Sequence, residues 1–136
     1  MPRIPAFAAM ILLGVPVHAA APAVTAAAFH PDGQRVAFGT HGEARVYKTT
    51  GEPLGFLKGL EGRVTALAFS PDGKYAYVAC ELDSTVSQID VDKHAVAGTV
   101  KAGPFSNGLA MLPPGARLYV SNGRDGTVSV IDTAFH

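Results

Sequence analysis

The side chains that could support catalysis or metal binding are few and scattered. The histidines beyond residue 19 are His30, His41, His94 and His136. No two of them lie two or four positions apart, the spacing at which one element presents two ligands to a metal ion. A metal or haem site whose ligands come from distant parts of the chain remains an alternative. From spacing alone we predict no metal site and no cofactor.

Cys80 is the only cysteine, which excludes an intrachain disulfide and any CxxC or CxxCH motif. It has no cationic neighbour or paired histidine in the sequence, so we expect a small buried or half-buried thiol rather than a nucleophile. The segment Gly103 to Gly108 is not a GxSxG elbow, and the chain has neither a Walker loop nor a GxGxxG fingerprint. We therefore predict no catalytic residue and no phosphate chemistry.

The charge pattern argues against nucleic acid as a partner. Eleven basic residues balance eleven acidic ones, and only 16% of the 136 residues are charged. Lysine and arginine occur singly from Arg35 to Arg124, without a basic run or a basic patch interleaved with aromatic residues. With 48% hydrophobic residues, the composition is that of a packed protein rather than a disordered one.

The chain repeats itself with a period of about forty residues. Residues 24–33 align without a gap on residues 64–73, with eight of ten positions identical. The glycines that close the corresponding turns, Gly33, Gly73 and Gly115, are spaced by 40 and then 42 residues. Periods of this size fit either paired-helix repeats or four-stranded propeller blades.

Local patterns favour strands. Four short runs rich in β-branched and aromatic residues make up the middle repeat, at 64–69, 75–80, 85–90 and 95–100. Their nearly continuous apolar content is typical of a sheet buried on both faces. Ser70-Pro71-Asp72-Gly73 has the residues of a type I turn, and no helical periodicity is visible after Pro22.

Two segments carry a resemblance to a known family. Residues 119–123, Tyr-Val-Ser-Asn-Gly, followed by 127–133, resemble the YVTN-type β-propeller repeat, and residues 77–80 with 85–90 form a looser copy. The first copy is similar to the Trp-Asp (WD) repeat, although Tyr47 and Lys48 stand where that family has Trp-Asp. The resemblance implies a periplasmic or surface ring of four-stranded blades, commonly a binding platform. It has enzymatic relatives such as lactonase-like and haem d-type nitrite reductase propellers.

The N-terminal segment has the features of an export signal. Arg3 is the only charge before Asp32, and the uncharged stretch from Ile4 to Val17 is too short to span a bilayer. Small residues then allow cleavage after Ala19 or Ala21. An uncleaved anchor extending through residue 28 is the alternative, and Pro16 and Pro22 disfavour it. We predict a periplasmic or secreted protein that is not transmembrane after cleavage.

The predicted fold is all-β. It is an incomplete β-propeller of consecutive four-stranded antiparallel blades, preceded by a signal-peptide helix. The predicted divisions are a signal peptide at 1–19, blade 1 at 20–59, blade 2 at 60–103 and part of blade 3 at 104–136. A closed propeller needs about four to eight blades. We therefore expect an N-terminal piece of a longer propeller, or self-association, to cover the two open blade faces.

The repeat also separates structural residues from candidates for binding. Aspartates that recur in successive repeats, such as Asp32 and Asp72, are expected to stabilise turns. Polar and aromatic residues that do not recur lie on connections into first strands and on turns between second and third strands. We predict a binding face formed by Arg63, Phe105, Asn107 and Arg124, with His41 and Glu81 nearby.

Two functions remain open at this stage. The first is an exported, non-catalytic scaffold that binds a protein, peptide or glycan through these loops. The alternative is the N-terminal part of a periplasmic propeller enzyme, lactonase-like or a haem or quinone redox protein, with its decisive residues in other blades.

Overall fold

A computed structural model describes residues 23–82, 84–112 and 114–134, without the side chains at positions 58, 59 and 61. The predicted signal peptide and both candidate cleavage sites lie outside the described residues. Within them the regular structure consists of ten β-strands. The strands are β1 Ala26–Phe29, β2 Arg35–Gly39, β3 His41–Lys48, β4 Pro53–Phe69, β5 Tyr75–Cys80, β6 Thr85–Asp90, β7 Ala95–Lys101, β8 Ser106–Leu112, β9 Arg117–Asn122 and β10 Thr127–Asp132. The described residues include no helix long and apolar enough to cross a membrane.

The strands form two antiparallel sheets. Strands β1 to β7 follow one another in a seven-stranded sheet, and β8, β9 and β10 form a three-stranded sheet. The 17-residue strand β4 pairs with two neighbouring strands, one with each half of its length. Its first half pairs with β3, through Leu57 opposite Ala44, and its second half pairs with β5, through Leu67 opposite Val78.

We call β1 to β3 with the first half of β4 blade 1. Blade 2 is the second half of β4 with β5, β6 and β7, and blade 3 is β8 to β10. The predicted boundary between the first two blades, after residue 59, falls inside β4 and stays a prediction. The four strand runs predicted for the middle repeat are confirmed, since two coincide with β5 and β6, a third gains one residue in β7, and the fourth is the second half of β4.

The turns that separate first and second strands have the predicted chemistry. Gly73 N donates to Ser70 O at 2.9 Å, and Gly33 N donates to His30 O at the same distance. Both glycines have positive φ, 75° and 71°, which a residue with a Cβ adopts only at a cost. The repeated sequence thus produces the same turn forty residues apart.

The hydrophobic core lies between neighbouring blades. Ala76, Val78 and Cys80 of β5 pack toward blade 1, whereas Tyr77 and Ala79 pack toward blade 3. The central strand is therefore buried on both faces, as its continuous apolar sequence predicted. Each fully buried side chain of the size of valine or larger contributes roughly 1.5–3 kcal/mol.

The outer faces of the row of blades are apolar and uncovered in this part of the chain. On blade 1, Phe29 is 71% exposed and Phe56 also lies open to solvent. On blade 3, Val128 is 60% exposed beside Val130. Both faces have the residue content of a blade interface rather than of a solvent-facing surface.

Candidate binding face

Alternating strand direction places two sets of connections at one end of the blades. These are the connections leading into β8 and into the second half of β4, and the turns β5–β6 and β9–β10. We call this end the loop face. The turns at 70–74 and 91–94 lie at the opposite end. All four predicted binding residues, Arg63, Phe105, Asn107 and Arg124, therefore lie at the loop face.

Threonine hydroxyls link successive blades at this end. Thr25 Oγ1 donates to Val64 O at 2.6 Å, and Thr65 Oγ1 donates to Ser106 O at 2.5 Å. The two acceptors occupy equivalent positions at the start of the inner strands of blades 2 and 3. The residues just before them, Arg63 and Phe105, consequently occupy equivalent corners of successive blades.

The corner of blade 2 is an ion pair. Arg63 Nε lies 3.3 Å from Glu81 Oε2, and its Nη2 donates to Glu81 Oε1 at 3.4 Å. His41 stands opposite Arg63 in the pairing of β3 with β4. The Arg63 side chain is 51% exposed, so the pair contributes at most about 1 kcal/mol to stability. The structure brings these three residues together at one corner.

The corner of blade 3 uses different chemistry. The guanidinium of Arg124 lies 4.8 Å from the centre of the Phe105 ring, within the range of a cation–π contact. Phe105 O accepts a hydrogen bond from Gly123 N at 2.9 Å, which joins the β7–β8 connection to the β9–β10 turn. Asn107 Oδ1 accepts from Ser121 Oγ at 2.9 Å. The remaining three predicted residues therefore form one cluster.

Sequence reasoning did not identify Asn122, the buried residue that holds the segments of this cluster together. Asn122 is buried, and its Oδ1 accepts from Gly103 N at 3.0 Å while its Nδ2 donates to Thr127 Oγ1 and Ser129 Oγ at 3.1 and 2.9 Å. These bonds fix the connection before β8 to the turn after β9. Asn122 belongs to the Tyr-Val-Ser-Asn-Gly segment that resembles the propeller repeat. This membership was the signal that could have indicated its role.

The recurring aspartates stabilise turns, as predicted. Ser70 Oγ donates to Asp72 Oδ1 at 2.6 Å, and that bond, with one from Lys74 N, holds the pKa of Asp72 below its ordinary value. Burial raises the pKa of Asp32, but hydrogen bonds from Gln34 N and Arg35 Nε outweigh it and the net shift is downward. Both carboxylates are therefore ionised acceptors within their own turns and are poorly suited to acid catalysis.

Two of the other candidates for chemistry pack into the fold. Cys80 is buried in the core between blades 1 and 2. His30 is buried with its Nε2 3.0 Å from Gly73 O and its ring edge-on to Phe69 at 5.0 Å, so it connects the turns of two blades. Among the described residues, no group of three or more histidine, cysteine, aspartate or glutamate side chains could hold a metal ion.

Comparisons with known proteins agree with the geometry. The family profile described as "Lactonase, 7-bladed beta-propeller" matches residues 66–130, and that of "WD domain, G-beta repeat" matches residues 12–48. Hydrazine synthase of Kuenenia stuttgartiensis superposes with a TM-score of 0.78 at 23% identity, covering 82% of this chain and 33% of its own. The Cps50 (Swd1) β-propeller domain of Myceliophteria thermophila gives 0.74 at 20% identity, covering 85% and 36%. A search of curated protein sequences found no match.

The fold is that of successive β-propeller blades, and the matched profiles support propeller repeats similar to the WD type. It spans about a third of the length of the two solved structures named above. Their sequence identity is low enough that the likeness concerns the fold alone, and one fold hosts many functions. Function therefore has to be argued from the residues of the loop face.

Proposed function

We propose that this protein is an exported propeller-repeat protein that binds a protein, peptide or glycan through its loop face, without catalysis. One observation carries the proposal. Two successive blades present an exposed arginine at the same corner region, Arg63 beside Glu81 and Arg124 over Phe105, and these residues do not recur between repeats. Blade geometry does not require them, since successive repeats have different residues at the equivalent positions.

The backbone that holds Arg63 and Phe105 in place favours a binding role for their side chains. Arg63 directly precedes the buried Val64 within β4, and Phe105 is hydrogen-bonded to Gly123 and directly precedes the buried Ser106. Side chains held by rigid strands lose little freedom when a partner binds, so more of the contact energy appears as affinity. Arginine and aromatic side chains are also the types that contribute most at protein interfaces.

The remaining parts of the proposal concern export and assembly. The N-terminal apolar segment directs export, with cleavage after Ala19 or Ala21 and a periplasmic or secreted product. Further blades, or a second copy of the chain, cover the apolar faces around Phe29 and Val128. We propose no nucleic-acid partner, because the lysines and arginines are scattered singly along the chain.

The test is a binding screen of the full chain against printed arrays of peptides and glycans. A loop-face variant, Arg63→Gln with Arg124→Gln, is compared with a control variant of the opposite end, Lys74→Gln with Arg117→Gln. The proposal predicts ligands that bind the wild type and the control variant equally well. Their affinity for the loop-face variant should be at least tenfold lower. The absence of any array ligand, or equal loss in both variants, would contradict it.

A second function has one observation in its favour. The lactonase profile covers residues 66–130, which include Phe105, Asn107 and Arg124. On this alternative, the loop face is part of the active site of a lactone hydrolase completed by other blades. Hydrolysis of a panel of lactones by the native protein, lost in the loop-face variant, would favour the enzyme over the scaffold.

A further inference from the structure

The corner of blade 3 differs from that of blade 2 in that, among the described residues, no acid forms an ion pair with its arginine. Glu81 pairs with Arg63, but the repeat places Gly123 at the position of Glu81 in blade 3. Among the described residues, Arg124 has no ion-pair partner, and its guanidinium lies over the ring of Phe105. Its neighbour Asp125 points its Oδ1 into its own turn, where it accepts from Thr127 N and Oγ1 at 3.1 and 2.6 Å.

The glycine also leaves room for a second donor beside the backbone that leads into Arg124. A Cβ at Gly123 would lie 2.6 Å from Asn107 Nδ2, so the amide nitrogen of Asn107 lies directly over the residue that precedes Arg124. The oxygen of that amide is already engaged by Ser121 Oγ. What Arg124 and Asn107 offer to solvent is therefore donors, the guanidinium of Arg124 and the amide NH₂ of Asn107.

Phe105 is held in an unfavourable backbone conformation at the same corner. Its φ is 58°, a value that a bulky L-residue rarely adopts, and the side chain is 37% exposed rather than inserted in the core. The conformation sets the ring beneath the guanidinium. Strain of this kind is common where a side chain is positioned for a ligand.

We propose that Arg124, Asn107 and Phe105 form a subsite for a carboxylate of an acidic peptide. This inference rests on the proposed binding function of the loop face. The planar guanidinium donates two parallel hydrogen bonds to a carboxylate, and stacking on Phe105 keeps its edge free to do so. The amide of Asn107 adds a third donor, and the exposed ring of Phe105 packs against the methylene groups of a glutamate side chain.

The donor set favours a peptide over an acidic sugar. A saccharide presents several hydroxyl groups that need acceptors as well as donors. The amide oxygen of Asn107 is already used by Ser121 Oγ, and Asp125 Oδ1 is used within its turn. A carboxylate on an aliphatic stem needs only donors and an apolar surface, which is what Arg124, Asn107 and Phe105 provide.

The experiment is an NMR titration of the ¹⁵N-labelled full chain with the acetylated, amidated pentapeptide Ala-Glu-Ala-Glu-Ala. The side-chain signals of Arg124 Nε–H and Asn107 Nδ2 should shift on titration. The matched peptide with glutamine in place of glutamate should bind at least about tenfold more weakly. Arg124→Gln should lose a similar factor, and Arg117→Gln, an exposed arginine at the opposite end of the same sheet, should lose nothing.

Three results would overturn the subsite. They are equal binding of the glutamate and glutamine peptides, unchanged binding by Arg124→Gln, and tighter binding of glucuronate than of the peptide with the same signals shifting. If array ligands depend on Arg63 but not on Arg124, the binding function stands and this subsite falls. If neither the arrays nor the peptide give binding, the proposed function itself falls.

Discussion

The hydroxyl of Thr25 donates a 2.6 Å hydrogen bond to the carbonyl oxygen of Val64, one repeat further along the chain. Thr65 repeats the contact with Ser106. A side chain of the inner strand of one blade is thus bonded to the backbone of the inner strand of the next. These bonds set the spacing of the blades at the end that carries the predicted binding residues.

The first prediction concerns this link. Thr65→Val keeps the shape and strand propensity of the side chain but leaves Ser106 O without its threonine donor. We expect the free energy of unfolding, measured by urea denaturation, to fall by about 1 kcal/mol. Thr99→Val, at an exposed position of β7, is the matched control and should change it by less than about 0.5 kcal/mol. Equal effects of the two substitutions would contradict a role in joining blades.

The second prediction concerns Asn122, which bonds to groups on three parts of blade 3. Asn122→Ala leaves Gly103 N and three hydroxyl groups, those of Ser106, Thr127 and Ser129, without this partner in a buried site, so we expect a loss of about 2–4 kcal/mol in unfolding free energy. Cys80→Ala, at the equivalent position of blade 2, removes one sulfur from the core and should cost about 1 kcal/mol. A larger effect at Cys80 than at Asn122 would count against the network as the support of the blade 3 corner.

The third prediction separates the role of Phe105 in binding from any role in stability. Phe105→Gly relieves a positive φ that costs an L-residue about 1–2 kcal/mol, against a backbone entropy cost of about 0.5–1 kcal/mol for glycine. We expect the unfolding free energy to change by less than about 1 kcal/mol, while the affinity for the acidic peptide falls. Phe69→Ala, in the core between blades 1 and 2, should instead cost about 3–5 kcal/mol. A loss of that size at Phe105 would identify it as a core residue.

The fourth prediction follows from the lowered pKa of Asp72. Because the folded pKa is below the unfolded value, the ionised carboxylate stabilises the folded state above about pH 4. This contribution is lost as the pH falls through the folded pKa. Ser70→Ala removes the largest cause of the shift, so stability measured from pH 2 to 6 should fall less steeply on acidification in this variant. An unchanged slope would show that the Ser70 bond does not set the pKa.

Much of the strand pattern could be predicted because it is locally encoded. Strands β5 and β6 match the predicted bounds, since turn residues flank each run of β-branched side chains. The continuity of β4 was not predictable in the same way. Glycines at 55, 59 and 62 suggest a break, but each half of the strand finds its own partner, β3 or β5.

The place of the four proposed binding residues at one end of the blades could be predicted from the order of strands and turns, whereas their contacts could not. Arg63 pairs with a residue 18 positions later, and Arg124 stacks on one 19 positions earlier. Which side chains make contact depends on how the first strand of a blade is aligned with the turn between its second and third strands. The positive φ of Phe105 likewise has no local signature, because nothing in its own residue type favours it.

The central claim is that the loop face, rather than the opposite end, contacts the ligand. The most direct measurement is a map of the backbone amide signals that shift when the tightest ligand from the arrays is added to the ¹⁵N-labelled full chain. We predict shifts concentrated at residues 62–63, 103–107 and 121–126. Shifts concentrated instead at residues 30–34, 70–74 and 91–94 would contradict the claim.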